Sequence, residues 1–304
     1  MNLKTITKKI SRINYILRSK KISSALKKII EKPIIGIVDI GAGHRYLPIL
    51  LNFDGVAKIA MVDPNKSLDW SFNNFKKIIK HPENLHKFKF GISNKTSKKK
   101  YYVLNTMTGS TFVNVYKTAK KNKEKLGQVY FGNKSTSIQQ VYSFKDFIKK
   151  FFKFEIDIVK IDVEGLEDKI IPSVVKNSSP LLIEVETNLN SDIYPNSFDK
   201  INTILKQKNY KMLTGFPVYK NTKNLTSKNL SFGLGNYDNP ILRSPLEQFE
   251  CIYVKDKNIY NVKEISILLG YGLLHEVEKI IKLSKLKVIK SKKNLIQDFM
   301  NKFF

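Results

Sequence analysis

Residues 34–65, IIGIVDIGAGHRYLPILLNFDGVAKIAMVDPN, constrain the fold of this chain more than any other stretch. They open with an apolar run over 34–40, too short for a typical helix and rich in β-branched residues. Such a run predicts a strand buried on both faces, as in a parallel sheet. Gly41 and Gly43 follow at once, where a strand must turn sharply and let a ligand approach the backbone. A helix is expected over about 46–53, then a second apolar strand over 59–62 that ends in Asp63. This is a βαβ unit with glycines after its first strand and an acid after its second. That layout suits an adenosine-type ligand: backbone N–H groups take its polar tail, and the carboxylate accepts hydrogen bonds from the ribose diol.

Two ligand classes share the layout. A dinucleotide fingerprint requires a third glycine at position 46, where this chain has Tyr46 and bulky neighbours. S-adenosyl-L-methionine carries a carboxylate and an amine in place of a pyrophosphate, so it tolerates a different turn. An ordinary glycine turn with no nucleotide is the plain alternative. Asp39 before the turn and Asp63 after it weigh against that alternative, and S-adenosyl-L-methionine is favoured over NAD.

Composition sets limits. With 304 residues, 42% of them hydrophobic and 19 of them Phe, the chain can bury a sizeable core. Cys251 is the single cysteine, which excludes an intramolecular disulfide, and His81 and His86 have no partners that would complete a zinc pattern. The net charge of +28 invites a nucleic-acid reading. Against it, Arg12, Arg18, Arg45 and Arg243 are the only arginines, whereas specific readers lean on the guanidinium fork. The lysines are spread along the chain and accompany an excess of Ile and Asn, as an AT-rich genome produces. No specific nucleic-acid partner is expected; weak association with an anionic membrane surface is. A signal-peptide core and a long uncharged apolar span are both missing from the sequence, so the expectation is a soluble, cytoplasmic protein.

Leu3, Ile6, Ile10, Ile13 and Leu17 recur at helical spacing among lysines, and a second helix is expected over 22–30. Residues 1–31 therefore read as a basic helical extension, packed over the sheet edge or serving as a lid in preference to lying on a membrane. After Asp63 a helix over 68–79 carries Trp70, Phe72, Phe75 and Ile79 as core, and 88–93 reads as a third strand ending in Ser93 and Asn94. Residues 95–100 read as a basic turn, 101–104 and 139–143 as strands, and 144–152 as an aromatic helix. The loops over 105–111, 117–132 and 221–240 are polar and are expected around the active face. In FEIDIVKIDVEGLEDKIIP, residues 154–172, period-two alternation puts Lys160, Asp162 and Glu164 on one face of a core strand. Three charges there are costly unless the strand end opens into a site, although a Lys160–carboxylate pair accounts for the lysine. Gly165 permits a tight turn into a helix near Leu166. Residues 181–185 read as a further strand with Glu184 and Glu186 at its end, 211–216 and 249–254 as strands, and 257–304 as a helical extension around Gly270-Tyr271-Gly272 that packs on the domain or on a second subunit of a homo-oligomer.

The strand–glycine turn–acid order, followed by KIDVEGLE and then LLIEVE, resembles the FkbM family of S-adenosylmethionine-dependent methyltransferases over residues 34–254. The resemblance implies a Rossmann-like class I methyltransferase domain at about 32–256. Its fold would be α/β: a seven-stranded, mostly parallel sheet with helices on both faces and an antiparallel hairpin at one edge, to which FECIYV would belong. It implies O-methylation of a sugar or glycan hydroxyl or of a small natural product. Residue by residue, it places Asp39, Gly41 and Gly43 at the methionyl end, Asp63 at the ribose, Ser93 and Asn94 near the adenine, and Asp162 and Glu164 at the mouth of the site. This chain departs from the family at His44-Arg45-Tyr46, where a small residue and a further glycine are common. His44 is then either a catalytic or substrate-contacting residue or a helix cap, and both readings stay open.

Asp162 or Glu164 is the expected general base, with His44 in reserve. Asp162, Glu164 and Glu184 offer oxygen ligands that suit Mg²⁺, but no metal is expected. Two rival readings belong to other classes: an RNA-binding protein or RNA methyltransferase, and a non-catalytic methyltransferase-like partner subunit.

Overall fold

The computed structural model describes residues 3–30, 34–43, 48–104, 110–113, 133–188, 197–219, 246–283 and 287–303. In chain order come α1 (Leu3–Ile29), β1 (Ile35–Ile40), a 3-10 helix (Pro48–Phe53), β2 (Ala57–Val62), α2 (Ser67–Lys76) and β3 (Leu85–Phe88). Next are β4 (Gly91–Ser93), β5 (Ser97–Leu104), β6 (Asn133–Ser143), α3 (Phe144–Lys150), β7 (Ile158–Ile161), α4 (Glu167–Asn177) and β8 (Leu182–Asn188). The described chain closes with α5 (Phe198–Lys206), β9 (Tyr210–Tyr219), β10 (Leu246–Lys255), α6 (Val262–Gly270), α7 (Leu274–Leu283) and α8 (Lys287–Phe303). Seven strands form a mostly parallel sheet in the order β3-β2-β1-β7-β8-β10-β9. β10 runs antiparallel to both β8 and β9, which is the hairpin expected of FECIYV. Strands β4, β6 and β5 form a separate three-stranded sheet.

Contacts divide the chain into two units. The first comprises residues 1–89, 152–158 and 257–304. Every residue of β1 is buried, as its unbroken apolar run requires of a strand covered on both faces. α1 is one helix where two were expected, and among its described residues Ile22, Leu26 and Ile29 are the buried apolar side chains, with Ser19 and Ser23 buried beside them. Phe53 lies so close to Gly270 that a Cβ there would come within 2.4 Å of its ring, and Asn52 Nδ2 donates to the Gly270 carbonyl at 2.8 Å. Beside β1, Gly36 and Asp157 exchange hydrogen bonds: Asp157 N–H donates to the Gly36 carbonyl at 2.8 Å, and Gly36 N–H to Asp157 Oδ2 at 3.0 Å. Lys263 Nζ closes this corner on Asp157 Oδ1 and Glu155 Oε2, each at 2.8 Å.

The second unit comprises residues 90–151 and 159–256. Ser143 and Ser197 cap α3 and α5 by accepting backbone N–H bonds from Asp146 and Lys200. Phe90, Tyr142 and Phe151 pack with ring centroids 4.7–5.0 Å apart, and Phe144 and Phe147 of α3 are fully buried.

Local differences from the sequence reading have physical causes. The run over 88–93 is divided: β3 pairs with β2 over 85–88, whereas 91–93 pairs with β6. Lys98, Lys99 and Lys100 stand in β5 instead of a turn, with alternate side chains able to reach water. Trp70 is 62% exposed, whereas Phe75 on the same helix is buried; helical spacing alone does not say which aromatic faces the sheet. Of the helix expected over 46–53, the described part is the 3-10 helix at 48–53.

Candidate functional site

In the first unit the chemistry gathers at the carboxyl ends of β1 and β2, which pair in register from Ile35↔Ala57 to Ile40↔Val62. Gly41 takes a φ of 94°, a conformation that a side chain disfavours, and its N–H donates to the Val62 carbonyl at 2.9 Å. The turn then brings Gly43 against Asp63. Gly43 N–H donates to Asp63 Oδ2 at 2.9 Å, and Asn65 N–H donates to Oδ1 at 2.6 Å. A Cβ on Gly43 would lie 2.7 Å from Asp63 Oδ2, so the glycine is what permits the approach. Ser71 Oγ donates to the Gly43 carbonyl at 3.3 Å, which ties the turn to α2. Asp39 and Asp63 are both buried, at 1% and 8% exposure. Each Asp63 oxygen accepts one of these backbone N–H bonds, which fixes the carboxylate at the carboxyl end of β2, where this layout receives a ribose diol. The turn therefore fits the ribose end of an adenosine cofactor. His44 lies outside the described residues.

In the second unit β7 stops at Ile161, so Asp162 and Glu164 lie in the loop that follows it. Lys160 Nζ donates to Asp162 Oδ2 at 2.9 Å, the lysine–acid pairing expected from the alternation. Glu164 adopts a left-handed backbone, φ 55°, and Gly165 follows with φ 110°. Two side chains pin this conformation. Glu167 accepts the N–H of Val163 on Oε1 at 2.9 Å and that of Gly165 on Oε2 at 2.9 Å, while Thr111 Oγ donates to the Glu164 carbonyl at 2.7 Å. Thr111 is itself fixed by two backbone hydrogen bonds with Tyr102, at 2.8 and 3.0 Å. Full burial pushes the Glu167 carboxyl up to about 8, with the charges of Asp162 and Glu164 adding to the rise against N–H bonds that lower it.

Among the described residues, Asp162, Glu164 and Glu186 bring carboxylate oxygens within 4.8 Å of one another, all on half-buried side chains. Glu186, not Glu184, joins the group, because Glu184 is buried at 5% exposure on β8. These oxygens form a hard, anionic donor set of the kind that takes a proton or a divalent cation. Ser93 and Asn94 stand at the end of β4 in the smaller sheet, with Ser93 Oγ 3.2 Å from Asn94 Oδ1 and Lys99 Nζ donating to Ser93 Oγ at 2.5 Å. Thr111 and Glu167 are the site-supporting residues that sequence reasoning did not assign. Glu167 carried a signal, an acid in the first turn of a helix behind a glycine turn; Thr111 carried none, because its partner is 53 positions away.

Comparison with known families matches residues 39–212, more than half of the chain, to the family described as Methyltransferase FkbM domain. No curated protein matches. Solved structures give distant likenesses. The FkbM methyltransferase of Methylobacillus flagellatus KT is 11% identical, with 60% of this chain aligned to 40% of that one and a TM-score of 0.37. This chain thus covers less than half the length of that relative. Precorrin-6y C5,15-methyltransferase of Geobacter metallireducens GS-15 is 14% identical over 77% of this chain and 86% of its own, TM-score 0.35. TrmK of M. capricolum, solved with S-adenosyl-homocysteine, is 15% identical over 91% of this chain and 96% of its own, TM-score 0.34.

Proposed function

The chain belongs to the FkbM methyltransferase family, whose cofactor is S-adenosyl-L-methionine, and from that premise we propose that it methylates a hydroxyl oxygen of a sugar, a glycan or a small natural product. Bound S-adenosyl-L-methionine would supply an electrophilic methyl group on its sulfonium, which the acceptor oxygen would take in line as the C–S bond breaks and the thioether leaves. Asp63 would hold the ribose diol, and Asp39 and the turn at Gly41 and Gly43 would receive the methionyl end. Ser93 and Asn94 are assigned to the adenine.

The observation that carries an oxygen acceptor is the carboxylate group of Asp162, Glu164 and Glu186. A neutral amine can attack without first losing a proton, whereas a sugar hydroxyl is a poor nucleophile at neutral pH and needs a base as the C–O bond forms. Asp162 or Glu164 is that base in this reading. Glu167 and Thr111 would serve it by holding the loop backbone, which places the Glu164 side chain without a search over conformers.

The test uses S-adenosyl-L-methionine labelled in its methyl group, with free sugars, glycosides and total RNA as separate acceptors. Label in an alkali-stable methyl ether of a sugar supports the reading; label in RNA, or in no acceptor while the cofactor binds, overturns it. Asp162→Asn is expected to lower turnover by about two orders of magnitude with cofactor affinity nearly unchanged. Asp63→Ala is expected to abolish cofactor binding in a calorimetric titration. Loss of cofactor binding in Asp162→Asn would make Asp162 a binding residue.

A further inference from the structure

In the first unit, away from the glycine turn, lies a small polar cavity of about 60 Å³ lined by Lys20, Ser23, Ser24, Lys27, Asp54, Lys80 and His81. Four of these come from one face of α1, at positions i, i+3, i+4 and i+7. A helix face turned toward the body of a protein is ordinarily apolar. The neighbouring stripe of α1 obeys that rule with Ile22, Leu26 and Ile29, and the Lys-Ser-Ser-Lys stripe does not.

The opposite wall is built from two segments. Asp54 accepts the backbone N–H groups of Lys80 and His81 at 2.7 and 3.1 Å, which joins the turn before β2 to the chain beyond α2. Ser23 Oγ donates to the Asp54 carbonyl and fixes α1 to the same turn. Gly55, at φ 79°, leaves the space that Lys27 occupies: a Cβ there would meet Lys27 Cε at 2.4 Å and His81 Cδ2 at 2.5 Å.

The charges are unbalanced. Lys27 Nζ lies 2.6 Å from His81 Nε2, and an ammonium has only donors, so Nε2 accepts and Nδ1–H donates to Glu83 Oε1 at 3.0 Å. The partner of Lys27 is therefore a neutral ring nitrogen. Among the described residues, none of Lys20, Lys27 and Lys80 forms an ion pair with a carboxylate. Asp54, the one acid in the lining, is engaged by two backbone N–H groups. Glu83, whose carboxyl the Lys27 charge helps to hold below its ordinary range, lies outside the lining, so the lysines outnumber the acids that face the cavity and an anion there would offset the excess. The volume is several times the roughly 15 Å³ that one water needs, which leaves room for a tetrahedral oxyanion.

We propose that this cavity is a phosphate-binding site, for inorganic phosphate or the phosphate of a monoester, with Lys20, Lys27 and Lys80 as its cations and Ser24 as a hydroxyl donor. It is separate from the cofactor. Asp54 and Gly55 precede β2, whereas Asp63 follows it, and six strand residues span roughly 20 Å.

Calorimetric titration of the full chain with inorganic phosphate, and separately with glycerol 3-phosphate, at low ionic strength tests it. Saturable binding at one site per chain is expected, weakened at least about tenfold by Lys27→Met and by Lys20→Met, and unchanged by Lys176→Met, which removes the same charge from an exposed helix position. Lys20→Met guards against a folding defect in Lys27→Met, and a circular-dichroism melt of each variant checks it. Tighter binding of glycerol 3-phosphate would assign the site to a monoester, and equal binding to free phosphate; both support it. The proposal is overturned if neither anion saturates, if heparin alone binds, or if Lys176→Met weakens binding as much as Lys27→Met. These outcomes are independent of methyl transfer.

Discussion

At the scale of single residues, the site depends on backbone conformations that side chains hold in place. Gly43 is the clearest instance, because its N–H and its missing Cβ both serve Asp63. Gly43→Ala would push a methyl against Oδ2 of a carboxylate that two backbone donors hold, one on each oxygen. It is expected to cut S-adenosyl-L-methionine affinity by about tenfold or more with the fold retained, read by calorimetry and a thermal melt. Glu167 gives a pH signature. Its folded pKa of about 8 exceeds the ordinary value of 4.5, so between these values the folded chain holds a proton that the unfolded chain has lost. The stability from this group is therefore complete below about pH 4.5 and declines as pH rises through 8, by an amount on the order of 5 kcal/mol. Urea melts from pH 5 to 9 should show that slope in the parent chain and its loss in Glu167→Gln; an unchanged slope would refute the assignment.

At the scale of elements, most strands and the edge hairpin were legible, and strand ends were not. The apolar runs at 34–40, 59–62 and 249–254 all became strands, because a continuous β-branched or aromatic run has few other ways to be buried. The acids at 162 and 164 were read as one face of a strand, yet β7 ends before them. Hydrogen bonds to Glu167 and Thr111 compete with the ladder there, and only the folded chain supplies them. The corner of β1, the segment 152–158 and α6 shows the same dependence. Lys263 joins Asp157 and Glu155 over more than 100 positions, with Lys263 and Asp157 side chains 14% and 7% exposed. Removing one partner of so enclosed a pair leaves a buried charge, so Lys263→Met is expected to destabilise the chain by about 3 kcal/mol in a urea titration. A change under 1 kcal/mol would mean that water already solvates the pair.

At the scale of the whole molecule, the charge of +28 produces a long-range field whatever the site does. Because lysine supplies nearly all of it, the field should attract polyanions without reading them. RNA is expected to bind weakly and lose most of its affinity between about 50 and 200 mM salt, measured by fluorescence anisotropy. Tight binding that persists at 200 mM salt would bring an RNA substrate back into consideration. Among the described residues no helix is long and apolar enough to cross a membrane.

Covalent order was enough to give the class of fold, the family and the place of the glycine turn before Asp63, since each follows from short motifs, none longer than about thirty residues, and from their sequence along the chain. Which carboxylates meet was a different matter. Glu184 and Glu186 are equivalent by period-two alternation, and only burial on β8 separates the enclosed one from the one that reaches Asp162 and Glu164. The division of residues 88–93 between two sheets, the exposure of Trp70 and the basic cavity behind Lys27 have the same origin. Each is settled by partners far away in the chain, whose approach depends on how the whole core packs and leaves no trace in local periodicity.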